Sequence, residues 1–328
     1  MTASLQLEFF NAGHDVFVAL DQQASPSTRA LMARFGIDLE LSKSSVLDHF
    51  NYHKKLDQGN HTAIVSSLTM KNGAIFRDTT VGKEIAFQGI GFSVSPESSM
   101  VISLLNGSPT AYSGEPGKAT FGPTVLGGFN LKLAALVQGR NNARVAVLGS
   151  LDMISDAYFS GSKGNLPFME DVLSWTFQLK GVLKASNLRH RVIGGEIAPA
   201  RYRVKDDVEI AVDIEECDVN GCRPFAGKDV QMEFVMLDPY IRTTLTNQGN
   251  GSLSSHVKVP DVYGVFKWVL DYKRPGYTWL YEVETVPVRP FRHDEYPRFL
   301  TQAYPYYGAV IAMMVGFFTT GIFFMYSK

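Results

Sequence analysis

Asp48, His49 and His53, within LDHFNYH, form the densest group of potential metal ligands in the chain. A carboxylate and two imidazoles can hold a divalent cation, but such sites need three or four converging ligands with hydrogen-bonded support. No cysteine stands beside them, so a polar loop is the simpler reading. Asp152 and Asp156 follow an apolar strand pattern, where α/β proteins often place working carboxylates. Either residue also serves as a helix N-cap. Gly89-Ile90-Gly91 is a fragment of a dinucleotide fingerprint without its third glycine or its helix. Glu115-Pro116-Gly117-Lys118-Ala119 lacks the spacing and the Ser/Thr of a phosphate loop. No GxSxG elbow is present. The residues therefore predict no catalytic set, no cofactor site and no metal site.

Two other patterns carry chemistry of a different kind. Asn60, Asn106 and Asn250 each open an Asn-X-Ser/Thr sequon, the acceptor pattern for N-linked glycan on a lumenal face. Pro109 follows the Asn106 sequon directly and disfavours its use. Cys217 and Cys222 flank Asp218-Val219-Asn220-Gly221, so a hairpin there would set them opposite each other. A cross-hairpin disulfide and two buried free thiols are both consistent with that spacing.

Elements that could position these residues are readable in outline. Leu5 to Phe10 predicts the end of an amphipathic helix, closed at Gly13. His14 to Leu20 predicts a strand of the buried parallel type. Ser25-Pro26 predicts a helix start, and the helix runs to Gly36. Short β pieces follow at Thr62–Val65, Ala86–Val94 and Lys132–Val137. Ala143–Ser150 then predicts another strand, and Met169–Lys180 a helix ended by Gly181. Helix, strand, helix is half of a doubly wound α/β domain. Its strand at Val16 wants partners on both sides, which leads to the expectation of a preceding β-α-β segment and signal peptide. The opening MTASLQLEFFNAGHD is not itself a secretory signal.

From about Pro199 the texture changes. Val208–Ile214, Val230–Met236, His256–Val259, Gly264–Asp271 and Trp279–Val288 read as strands of an antiparallel sandwich. Pro287, Pro290 and Pro297 predict a stiff stalk. Tyr306–Tyr326 is an uncharged apolar run long enough to cross a bilayer as one helix, with tyrosines at both ends. The expected organisation is an α/β domain over 1–185, a β-rich domain over 199–288, a stalk over 289–305 and a transmembrane helix over 306–326. Within the helix Gly308, Gly316 and Gly321 could allow close helix approach, or simply face lipid. Lys and Arg number 31 against 32 Asp and Glu, so there is no basic field for nucleic acid. Positive charge before the helix favours a cytosolic bulk on a simple count; a signal peptide would override it.

Longer blocks resemble a known family. Val259-Pro260-Asp261-Val262-Tyr263-Gly264-Val265-Phe266, Asp271-Tyr272, Gly276-Tyr277-Thr278, Val288-Arg289-Pro290 and Ala303-Tyr304-Pro305-Tyr306-Tyr307 run in the order and spacing of the oligosaccharyltransferase 48 kDa subunit family. Upstream, Asp48-His49 with Asn51-Tyr52, Gly139 to Val145, Gly149-Ser150-Leu151-Asp152, Ser155-Asp156 and Leu237-Asp238-Pro239 with Arg242-Thr243 continue the likeness. The resemblance implies a type I endoplasmic reticulum protein with a lumenal flavodoxin-like α/β domain, a β-rich domain and one transmembrane helix. It implies a non-catalytic subunit without a cofactor. Its expected partners are a catalytic polytopic subunit, ribophorin-type subunits and a small defender-against-death subunit. The rival expectation is a tail-anchored cytosolic α/β hydrolase or sugar-binding protein. An upstream reading frame encoding a signal peptide would separate the two.

Overall fold

The computed structural model describes all residues except 1–2, 119–125, 196–198, 297, 299 and 328. Its first half is a mixed sheet between two helical layers. The central strand is Lys132–Gln138, with Arg144–Leu148 antiparallel on one side and Val101–Asn106 antiparallel on the other. Val16–Ala19 pairs parallel with Arg144–Leu148 and stands at the sheet's edge. That strand was expected to be fully buried; all four of its residues are half-buried, because it has one neighbour among the described residues. Side chains alternate across the Arg144–Leu148 strand, as a period of two requires. Val145 and Val147 face Leu31, Met32 and Phe35, whereas Ala146 and Leu148 face Phe168, Val172 and Trp175.

Local rules explain some of the helix ends. Ser25 Oγ accepts from Thr28 N at 3.2 Å, and Pro26 occupies the first turn of the Pro26–Arg34 helix. The helix expected over Met169–Lys180 spans Asn165–Thr176 instead. Asn165 sits at its buried start, and its amide bonds both the N–H and the C=O of Ala86 at 2.9 Å. Gln178 adopts φ +57°, which turns the chain out of the helix before Leu179, and Gly181 at φ +68° turns it again ahead of the next strand. The continuous β piece expected over Ala86–Val94 is split into Ile85–Phe87 and Phe92–Val94. The break is the Gly89-Ile90-Gly91 bend. A Cβ on Gly89 would lie 2.1 Å from the Gly149 carbonyl oxygen, so this glycine pair serves close backbone approach and not phosphate binding.

The second half is a sandwich of two sheets. One contains Val182–Val192, Asp207–Asp218, Gly221–Pro224 and Ser252–Lys258; the other contains Gln231–Val235, Pro239–Thr244, Gly264–Tyr272 and Leu280–Arg289. Val208, Ile210, Val212, Phe234, Phe266 and Trp268 fill the space between them. Val182–Val192 straddles position 185 and pairs with Asp207–Asp218, so its residues are sandwich strand. Asn220-Gly221 forms the hairpin turn, with Cys217 and Cys222 as cross-strand partners joined by a disulfide. Pro287 lies inside the Leu280–Arg289 strand opposite Val265, and Pro297 lies outside the described residues. The final helix spans Tyr304–Tyr326, two residues longer at its start than expected, with Pro305 in its first turn. Its most apolar 18-residue window has a mean hydropathy of 2.0 and none of that window is buried, so the helix is long and apolar enough to span a membrane.

The two halves are joined by an extensive polar seam. Arg144 is fully buried, and its guanidinium donates to the carbonyls of Trp175 (2.6 Å), Lys180 (2.7 Å) and Gly181 (2.7 Å). It also stacks on the Trp175 ring at 4.7 Å. Burial lowers its pKa to about 10, opposed by Asp15, so it remains charged at neutral pH. Trp175 Nε1 in turn donates to Gly276 O at 2.7 Å, in the sandwich loop that precedes the last strand. Each buried acceptor left unpaired costs about 1–3 kcal/mol. Arg144→Met should therefore destabilise the protein by about 3 kcal/mol or more in denaturant unfolding. A loss below about 1 kcal/mol would show that the three carbonyls find other partners.

Candidate functional site

Asp48 is a buried carboxylate at the start of a surface loop, after the strand Ser45–Leu47. Its Oδ1 accepts from Phe50 N (2.9 Å), Asn51 N (3.0 Å) and Thr110 Oγ1 (2.8 Å), while Oδ2 accepts from Ser108 Oγ. Burial raises the carboxyl pKa, but these donors together outweigh it and hold the group below its ordinary value. Around this core, His49 Nε2 lies 3.1 Å from Tyr112 Oη, and the His49 and His61 rings meet edge to face at 5.0 Å. Tyr52 packs against His61 at 4.5 Å. His53 Nδ1 is buried without a partner. Asp48, His49 and His53 thus do not converge as metal ligands. The loop they share is a folded polar knot held by Asp48.

The metal-like grouping of Glu215, Cys217 and Cys222 among the described residues is closed by the disulfide, which removes both thiolates as ligands. Asp152 begins a short 3-10 turn and Asp156 a six-residue helix; both are exposed. Neither carboxylate has a hydrogen-bonded partner among the described residues. Asn60 is exposed in a loop. Asn250 is exposed as well, although its Oδ1 accepts from Ser252 N at 3.1 Å. Asn106 Oδ1 accepts from Ser103 Oγ at 2.7 Å, and the serine of its sequon, Ser108, is held by Asp48.

Two of the clefts among the described residues lie near these elements. One, of about 510 Å³, lies beside the Asp48 knot and is lined by Asn51, Ser66, Glu84, Asn106 and Phe129. The other, of about 430 Å³, lies on the seam between the halves, lined by Met100, Gln138, Arg140, Lys273, Tyr277 and Trp279. Lys273 stacks over the Trp279 ring at 4.4 Å and pairs with Asp271 at 3.0 Å. Both clefts offer hydrogen bonds and apolar surface, the equipment of recognition.

Below the sandwich, Glu295 accepts a fork from Arg289, at 2.5 and 2.6 Å, and a bond from Arg292 N at 2.8 Å. The fork pulls the Glu295 carboxyl down to about 2. Phe291 packs against the sandwich core. An ion pair and an aromatic anchor thus hold the stalk to the sandwich. Nothing in the local spacing of Arg289 and Glu295 signals that fork. In the final helix the Gly308, Gly316 and Gly321 positions all open onto free space. Thr319 and Thr320 donate to Val315 O and Gly316 O at 2.6 and 2.5 Å, so their hydroxyls are satisfied within the helix.

A mixed α/β unit joined to a β-sandwich and followed by one exposed apolar helix among the described residues fits a membrane protein. Family comparison places it more narrowly. Residues 1–179 match the model of the OST48 N-terminal domain, and residues 190–328 match that of the OST48 middle domain. Proteins named dolichyl-diphosphooligosaccharide–protein glycosyltransferase 48 kDa subunit are similar along 98% of this chain. The one from Arabidopsis thaliana is 36% identical with 76% of its own length covered; those from Caenorhabditis elegans and Danio rerio are 37% and 38% identical with 75% covered. The chain belongs to this 48 kDa subunit family.

The Asp48 knot makes a pH-dependent claim. A carboxyl with a lowered folded pKa contributes stability that is fully present above its unfolded value, about 4, and fades as pH falls through the lower folded value. Asp48→Asn should cost about 2 kcal/mol at pH 7. The gap between wild type and variant in urea unfolding should close as the pH is lowered through the depressed folded pKa. A gap that stays constant with pH would mean the carboxylate charge is not what holds the loop.

Proposed function

We propose that this chain is a non-catalytic, stabilising subunit of the oligosaccharyltransferase complex of the endoplasmic reticulum. That complex transfers a preassembled glycan from dolichyl diphosphate to Asn of Asn-X-Ser/Thr. Family membership over 98% of the chain is the observation that carries the reading. The disulfide at Cys217–Cys222 supports an oxidising, lumenal setting for the bulk of the chain, which would make it a single-pass type I protein. The units would be a lumenal α/β domain, a lumenal β-rich domain, a stalk and a membrane helix. The proposed partners are the catalytic polytopic subunit, ribophorin-type subunits and the small defender-against-death subunit. Asn60 and Asn250 are the exposed candidates for modification by the complex itself.

The role is tested by separating assembly from turnover. The triple variant His49→Ala, Asp152→Ala, Asp156→Ala should assemble and leave glycan transfer within about twofold of wild type, measured on purified complex. An intact complex with transfer lowered by several orders of magnitude would make the chain catalytic. Assembly itself should pass through the helix, because membrane helices associate by close packing at small residues. Gly308, Ala312, Gly316 and Thr320 recur at four-residue spacing along it. Gly316→Leu should insert normally yet lower recovery of the other subunits in a mild-detergent pull-down, and Phe323→Leu should matter less. Full recovery with Gly316→Leu would confine the helix to anchoring and move the binding surfaces to the sandwich.

A further inference from the structure

The sandwich has a definite membrane end. Arg289, the last residue of its final strand, leads into the stalk and helix. Register places other loops at that same end. Gly264 pairs with Val288, so the turn that carries Tyr263 is there. Val235 pairs with Lys267, which brings the Met236-Leu237-Asp238 turn beside it, and a Cβ on Gly264 would touch Met236 Sδ at 2.7 Å. The stalk joins this cluster: Lys205 pairs with Asp261 at 2.7 Å and lies 5.9 Å from the Phe291 ring.

The tips of these loops are apolar. Leu237 is 90% exposed and Tyr263 68%, although both sit in turns where polar residues are the rule. Tyr296 and Leu300 are exposed on the stalk just beyond. Behind the tips Lys205 pairs with Asp261 and Arg289 with Glu295, and Asp238 follows Leu237 in the chain. At the opposite end of the sandwich the hairpin presents Val219 beside Asp218 and Asn220.

We propose that Leu237 and Tyr263 seat in the lipid interface, so that the sandwich rests on the bilayer through its loops as well as hanging from its helix. Continuity with the membrane segment selects the occupant. Both loops lie at the end of the sheet that the chain leaves for the bilayer, and a tyrosine with an apolar ring and polar tip suits the interfacial zone. The Arg289–Glu295 fork holds the stalk to the same end, which favours a short standoff. The inference requires the helix to be inserted and is independent of which complex the chain joins.

The test uses the full chain in phosphatidylcholine nanodiscs, with Leu237→Trp, Tyr263→Trp and, as the far-end control, Val219→Trp. All three positions are exposed, and near-UV circular dichroism checks that packing is retained. In nanodiscs made with lipid brominated near the headgroup end of its chains, the indoles at 237 and 263 should lose emission. The indole at 219 and the native tryptophans should not. Unchanged emission at 237 and 263 overturns the proposal, as does equal quenching at 219. Protection of the two tips only on addition of another subunit would also overturn it, because the surface would then belong to a protein partner.

Discussion

The fold depends on one buried cation. Arg144 sits in the central sheet, and among the described residues its guanidinium is bonded to three main-chain carbonyls and stacked on the face of Trp175, with no carboxylate bonded to it. Those carbonyls belong to the stretch where the helix Asn165–Thr176 ends and the chain turns into the sandwich. Leaving them unpaired would strand several buried acceptors at once. By binding all of them, Arg144 sets where the helix stops, and so where Trp175 points. Trp175 then reaches across to Gly276.

Around that contact the loop Lys273–Trp279 is bonded to the α/β unit almost residue by residue. Asn72 Nδ2 donates to Pro275 O at 2.8 Å, and Gln138 binds both Gly276 N and Tyr277 O. Asn142 binds both the N–H and the C=O of Trp279. Thr278 N donates to Gly181 O at 3.1 Å. Polar seams of this density join the halves as one body, so a force on the membrane helix is felt by the α/β unit through the Arg289–Glu295 fork and this loop.

Much of this was legible in the residues, but unevenly. Ser25-Pro26 and Asn220-Gly221 announce a cap and a hairpin because their geometry is local. The apolar run before Lys328 announces a membrane helix by length alone. Val182–Val192 escaped because its core-facing set, Leu183 and Ala185 and then Leu188, His190 and Val192, changes parity at the bulge between Ser186 and Arg189 and includes a histidine. Val16–Ala19 reads as a strand with partners on both sides; its one neighbour among the described residues is Arg144–Leu148, a long-range pairing that composition does not encode. The Asp48 knot looked like a loop and is one, but its donors at Ser108 and Thr110 lie 60 and 62 residues away. The blocks that carry the family resemblance also meet in space: Gly139 to Val145 faces Gly276-Tyr277-Thr278 across the seam. Their spacing in the chain gave no hint of that contact.

The measurement that bears most directly on a single rigid body is native-state hydrogen exchange on the full chain in nanodiscs. The amides of Gly276, Thr278 and Trp279 are bonded to Gln138, Gly181 and Asn142, so they should exchange as slowly as those of the Arg144–Leu148 strand. Exchange of these three amides at the rate of free loops, with the strand still protected, would show two units on a hinge and contradict the account.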